Sequence, residues 1–238
     1  MPAPAISETL KTSNGRFTTE VLTTSAGTAA GDTLVIFYAS DFFSLATMPD
    51  VTSSAGTPTL EHTTEVGTNL GHIKAYTLAV TSSGSKTVTI PAHVDCDIFG
   101  VVLRIPAAIT VDDHQGQIDT TETLTAHVAP SVTTLGADRL LAIAWLGTNV
   151  NTGWSNPPYT APGSMTERAQ PHSSPYAALM VATQEISASG ATGTRTATFF
   201  RAESYGAASL ALAGPAGAAS DLGPTTYARR RRVPLLVR

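Results

Sequence analysis

An all-β fold, a jelly-roll-like β-sandwich built from two similar halves, is what this 238-residue chain predicts. The first observation is internal repetition. Gly31-Asp32-Thr33-Leu34-Val35-Ile36-Phe37-Tyr38-Ala39 is echoed by Ala137-Asp138-Arg139-Leu140-Leu141-Ala142-Ile143-Ala144-Trp145. Thr59-Leu60-Glu61-His62 is echoed by Met165-Thr166-Glu167-Arg168, Thr87–Ile90 by Thr196–Phe199, and Phe99-Gly100-Val101 by Tyr205-Gly206-Ala207. A period this long is no solenoid unit and fits two similar β halves sharing one core. The second observation is composition: 13% charged residues, with Thr, Ala, Ser and Gly plentiful, suit strands and turns. The third is that no window sustains a 3.6-residue apolar period.

Taken in order, residues 1–15 read as an N-terminal arm, followed by a strand over 16–23. Gly31-Asp32 turns the chain into Thr33–Ala39, an unbroken apolar run of the kind shown by a strand covered on both faces. Pro49–Pro58 is loop. Ile73–Val80 alternates, Ser82-Ser83-Gly84-Ser85 turns, and Lys86–Ile90 is a short strand. Phe99–Ile105 closes the first half (about 16–106), stopped by Pro106, which cannot donate to a ladder. The second half (about 122–213) offers Leu140–Leu146, Met165–Ala169, Ala178–Ile186, Thr194–Phe200 and Ala207–Ala213. The expected assembly is one sandwich over 16–213, each half feeding alternate strands into two facing sheets. Residues 214–238 are a Gly/Ala linker and an Arg-rich C-terminal arm.

Charge and cysteine narrow the function classes. The net charge is −4, and five arginines among the last ten residues leave −9 for residues 1–228. An acidic body makes nucleic acid an improbable partner. A single Cys96 excludes an intramolecular disulfide framework and a multi-cysteine zinc site. No apolar core of a Sec signal stands in Met1–Arg16, and no apolar stretch approaches the roughly 18–20 residues that span a bilayer. The expectation is synthesis in the cytoplasm and no membrane partner.

No catalytic constellation, cofactor motif or metal signature stands out, so no enzyme activity and no cofactor are expected. Asp112-Asp113-His114 reads as a solvated loop after Ile109–Val111, because neighbours on a strand point to opposite faces. Asp95 and Asp97 would raise rather than lower the pKa of Cys96, which reads as inert. The six histidines are scattered singly, and the repeat-equivalent Glu61 and Glu167 read as strand-end polar groups. Trp145 ends an apolar run and reads as core. Trp154 and Tyr159 share one long loop, where aromatics serve as glycan-stacking platforms or as interface contacts.

The C-terminal arm carries the partner-binding expectation. Arg229, Arg230, Arg231 and Arg232 precede the apolar Val233-Pro234-Leu235-Leu236-Val237, with Tyr227 just ahead. An arm whose Val233, Leu235, Leu236 and Val237 pair with a neighbour's sheet edge, while the arginines neutralise its acidic surface, accounts for both parts.

Gly31-Asp32-Thr33-Leu34-Val35, a Thr-rich connector, Lys74-Ala75-Tyr76-Thr77-Leu78-Ala79 and Phe99-Gly100-Val101 together resemble β-sandwich proteins of tailed bacteriophages. These are minor tail or other virion proteins, found especially in phages of actinobacteria. The Gly-Trp turn of that pattern is missing from the first half, although Gly153-Trp154 stands in the second. The resemblance spans about residues 16–213 and transfers no catalytic residue. It implies a virion structural protein, of the tail tip by preference, that forms a homo-oligomer or binds other virion proteins. The alternatives are a capsid decoration protein and a module binding a host surface glycan.

Overall fold

The structure is a computed structural model that describes residues 2–14, 18–41, 48–65, 71–92, 96–121, 123–148, 157–173 and 177–215. Among these the regular elements are all strands. The first half holds β1 (Glu8–Asn14), β2 (Glu20–Thr23), β3 (Thr33–Ser40), β4 (Thr52–Ser53), β5 (Thr59–Glu65), β6 (His72–Ala79), β7 (Thr87–Ile90) and β8 (Ile98–Ile105). The second half holds β9 (Thr110–Asp119), β10 (Ala126–Ala129), β11 (Thr133–Thr134), β12 (Arg139–Thr148), β13 (Tyr159–Thr160) and β14 (Thr166–Ala169). It continues with β15 (His172–Ser173), β16 (Ala177–Ile186), β17 (Gly190–Ala191), β18 (Arg195–Phe199) and β19 (Tyr205–Ala213).

Every pairing is antiparallel. The first half forms a five-stranded sheet, β1-β8-β3-β6-β5, and a three-stranded sheet, β2-β7-β4. The second forms β9-β19-β12-β16-β14, with β15 also on β16, and a three-stranded sheet, β10-β18-β13; β11 and β17 make a separate pair. The two large sheets lie face to face. β5 packs over β9 and β19, β1 over β14 and β15, β6 over β12 and β19, and both β3 and β8 over β16. Each small sheet covers the outer face of its own large sheet, so the order is small, large, large, small.

Side-chain alternation explains why the central strands read as unbroken apolar runs. In β3, Val35, Phe37 and Ala39 point into the core between the large sheets, while Leu34, Ile36 and Tyr38 point into the core beneath β2-β7-β4. In β12, Leu140, Ala142, Ala144 and Leu146 enter the shared core, while Leu141, Ile143 and Trp145 face β10-β18-β13. A strand with a core on each side needs apolar residues at both parities. Gly100 lets β8 pass under its small sheet: a Cβ there would lie 2.9 Å from Ile90 Cγ1.

The all-β class and the sandwich layering hold, while three expectations change. The halves do not interleave strands in one sandwich; each builds its own pair of sheets. Residues 8–14 of the expected arm are the edge strand β1, in register with β8 from Glu8 opposite Arg104 to Asn14 opposite Ile98. Asp112-Asp113-His114 lies not in a loop but in β9, paired with β19 across a bulge near Asp112. β9 carries no apolar alternation because β19 supplies its hydrogen bonds and one of its faces is open to solvent.

The two repeat-equivalent aspartates precede corresponding strands, β3 and β12, but sit in different surroundings. Asp32 is buried, accepting from Arg104 Nε at 2.7 Å and from the Ala29 amide at 3.0 Å. Asp138 is partly exposed and left-handed, with φ 58°. In the second half a different ion pair joins Arg139 Nε, at the start of β12, to Asp112 Oδ2 of β9 at 2.7 Å.

Candidate functional site

An apolar pocket forms where four segments converge. Pro2–Ala5, Ile105-Pro106-Ala107, Ala137–Arg139 and Gly214-Pro215 enclose about 330 Å³. Its walls follow from the topology: β8 and β19 end side by side with their counterparts at this pole, and the stretch before β1 crosses them, with Pro4 Cγ 3.4 Å from the Cβ position of Gly214. Prolines at 2, 4, 106 and 215 leave little backbone N–H to satisfy, which suits an apolar surface. Pro215, on the lining of this pocket, is the last of the described residues. The arm residues Tyr227, Arg229–Arg232, Val233, Leu235, Leu236 and Val237 lie outside the described residues, as does Trp154.

Tyr159 is no surface platform. It is 1% exposed, inside a polar-centred aromatic cluster between β10-β18-β13 and the large sheet. His127 Nδ1 and the Tyr159 hydroxyl are 2.9 Å apart, and His127 stacks on Tyr205 with centroids 4.2 Å apart and planes 9° apart. Gln170 clamps the Tyr159 backbone, its Oε1 accepting from the Tyr159 amide at 3.1 Å and its Nε2 donating to the carbonyl at 3.0 Å. Burial pushes the His127 imidazole down to about 4, so it is neutral at physiological pH. The glycan-stacking role expected of Tyr159 is thereby corrected: its ring is buried in the core and offers no face to a sugar.

The remaining candidates are distributed through the framework. Trp145 is fully buried, as is Cys96 at the entry to β8. Glu61 accepts from the Thr77 hydroxyl on its own sheet, and Glu167 from Gln170 Nε2 at 2.6 Å on the other. No group of three or more His, Cys, Asp or Glu able to hold a metal ion converges among the described residues.

One pair does meet that spacing along the chain conceals. His62 of β5 and His114 of β9 bring their Nδ1 atoms to 3.1 Å across the seam between the halves. His62 Nε2 lies 2.8 Å from Thr64 Oγ1, and Thr64 Oγ1 donates to the Ala207 carbonyl at 3.4 Å. Burial first, and then His114, hold the His62 imidazole below its ordinary pKa. His62 borders a shallow depression of about 160 Å³ lined also by Thr63, Thr64, Gly116, Gln117 and Ile118. The only clue in the sequence is that β5 and β9 each carry a histidine.

No protein-family model matches the chain, and no curated protein or solved structure is significantly similar to it.

Proposed function

We propose that this protein is a structural virion component of a tailed bacteriophage, placed at the tail tip and assembling through its sandwich faces and its C-terminal arm. The observation that carries the assembly role is the pole at which Pro2–Ala5 and Gly214-Pro215 meet on an apolar pocket, since the arm follows Pro215 in sequence. An acidic body of −9 and an arm with five arginines are electrostatically complementary between copies. The phage assignment rests on the sequence resemblance.

The architecture supports a scaffold. Numbering the strands within each half, and leaving out β11, β15 and β17 of the second, both large sheets run 1-8-3-6-5 and both small sheets run 2-7-4. This is the jelly-roll order with strand 5 moved to the edge of the large sheet. The contacts between halves are reciprocal: strand 5 of one half covers strand 1 of the other, in both directions. We read the chain as two jelly-roll units fused in tandem about an internal two-fold, the single-chain counterpart of an isologous dimer. With its cores filled by side chains, such a body offers broad outer faces for assembly.

Size-exclusion chromatography with light scattering, on the full chain and on a chain ending at Ser220, tests the reading. An oligomer that becomes monomeric on truncation supports the arm as the assembly element. A monomeric full chain that also fails to bind purified tail particles overturns it. Labelling of virions decides tail tip against capsid surface, where a decoration protein would lie. A host-glycan role loses Tyr159 as a contact and would rest on Trp154.

A further inference from the structure

We propose that His62 and His114 form a binding site for a divalent first-row transition cation of the class that favours imidazole, namely Cu²⁺, Ni²⁺ or Zn²⁺, clamping the two halves together at the edge of their seam. The site is independent of the virion reading.

The geometry comes first. Imidazole nitrogens bind these ions at about 2.0–2.1 Å, so two of them on one ion stand roughly 3 Å apart for bond angles between square-planar and tetrahedral. The two Nδ1 atoms are already 3.1 Å apart. Without an ion this contact needs one nitrogen to donate and the other to accept; with an ion both present lone pairs.

Tautomer and orientation are prepared on one side. Because Thr64 Oγ1 gives its proton to the Ala207 carbonyl, it accepts from His62 Nε2–H, which leaves the lone pair of His62 on Nδ1. A metal-binding histidine is held in the same way by a hydrogen bond to its other nitrogen. Gly116 presses on that ring: a Cβ there would fall 2.3 Å from His62 Nε2 and 2.2 Å from Thr64 Oγ1. His62 is therefore fixed, while the exposed His114 can turn its ring to complete the angle.

Access comes from the exposed side of His114, where water completes the coordination. Asp113 adds no ligand, since its carboxylate accepts from the His114 and Thr133 amides at 2.8 and 2.7 Å. Two imidazoles and water fit Cu²⁺ best, followed by Ni²⁺ and Zn²⁺, in the usual order of stability for nitrogen sites.

The test uses untagged full-length protein titrated with Cu²⁺, Ni²⁺ and Zn²⁺ by calorimetry, with electron paramagnetic resonance of the one-equivalent Cu²⁺ complex and melting curves with and without metal. Expected are one site, Cu²⁺ bound tightest, nitrogen hyperfine structure from two imidazoles, and a melting temperature raised by metal. H114Q, on an exposed side chain that the fold does not require, should weaken Cu²⁺ at least tenfold and abolish the melting shift. H62Q should do the same, and H172Q should change neither. Cu²⁺ affinity and hyperfine pattern unchanged in H114Q, or no saturable one-equivalent binding to the full chain, would overturn the proposal.

Discussion

His62 Nδ1 and His114 Nδ1 stand 3.1 Å apart although 52 residues separate them in the chain, one on an edge strand of each large sheet. Their meeting depends on a glycine. Gly116→Ala would put a methyl group 2.2 Å from Thr64 Oγ1 and 2.3 Å from His62 Nε2, so the β5–β9 contact must open. Equilibrium denaturation should show a loss of about 1–3 kcal/mol. Gly163→Ala, where a Cβ meets nothing within 4 Å, should stay within about 0.5 kcal/mol of the parent.

Arg104 holds the turn that launches β3. Its Nε donates to Asp32 at 2.7 Å, Nη1 to Ser25 Oγ at 3.1 Å, and Nη2 to the Gly27 carbonyl. Both charged groups are largely withdrawn from water, so Arg104→Ala strands a carboxylate in the interior. Urea unfolding should register a loss of about 3–5 kcal/mol. The double variant Arg104→Met with Asp32→Asn should lose clearly less than the two single variants combined, because neither charge is then left alone. Strict additivity would mean that the pair is not coupled.

Acid should weaken the second half through His127. Burial lowers its pKa from 6.5 to about 4. Above pH 6.5 the imidazole is neutral in both folded and unfolded chains. Between 6.5 and 4 the unfolded chain takes up a proton that the folded chain refuses, so stability falls as pH falls through this window. The full effect of one such group is on the order of 3 kcal/mol. Unfolding free energies of the parent and of His127→Gln, measured at pH 7.5, 5.5 and 4.5, should converge as pH drops. Parallel curves would contradict this assignment.

Tyr159 should prove structural. Tyr159→Phe removes the hydroxyl partner of His127 Nδ1 and should cost about 1 kcal/mol in thermal or chemical unfolding. Any sugar binding found on a glycan array should survive the substitution. Its loss without a change in stability would return Tyr159 to a recognition role.

The strands legible from sequence are those covered on both faces or regularly alternating. Thr33–Ala39, Phe99–Ile105 and Leu140–Leu146 point to β3, β8 and β12, because a doubly covered strand is apolar at both parities along most of its length. β1 and β9 leave no strand signal in the sequence, since ETLKTSN and TVDDHQGQID are polar edge segments whose reason to be extended is a neighbour's free backbone. Very short strands such as β4, β11 and β17 carry no period at all. Tyr159 lay in a loop by composition, and only the fold could bury it.

By itself the sequence determined the all-β class, the central strands and the echo between the halves, since period-2 burial and turn chemistry are local. Only the tertiary structure decided that each half closes its own pair of sheets, that Asp32 and Asp138 sit in unlike environments, and that His62 faces His114. Those outcomes depend on which faces pack together, and packing partners far apart in the chain leave no periodic trace along it.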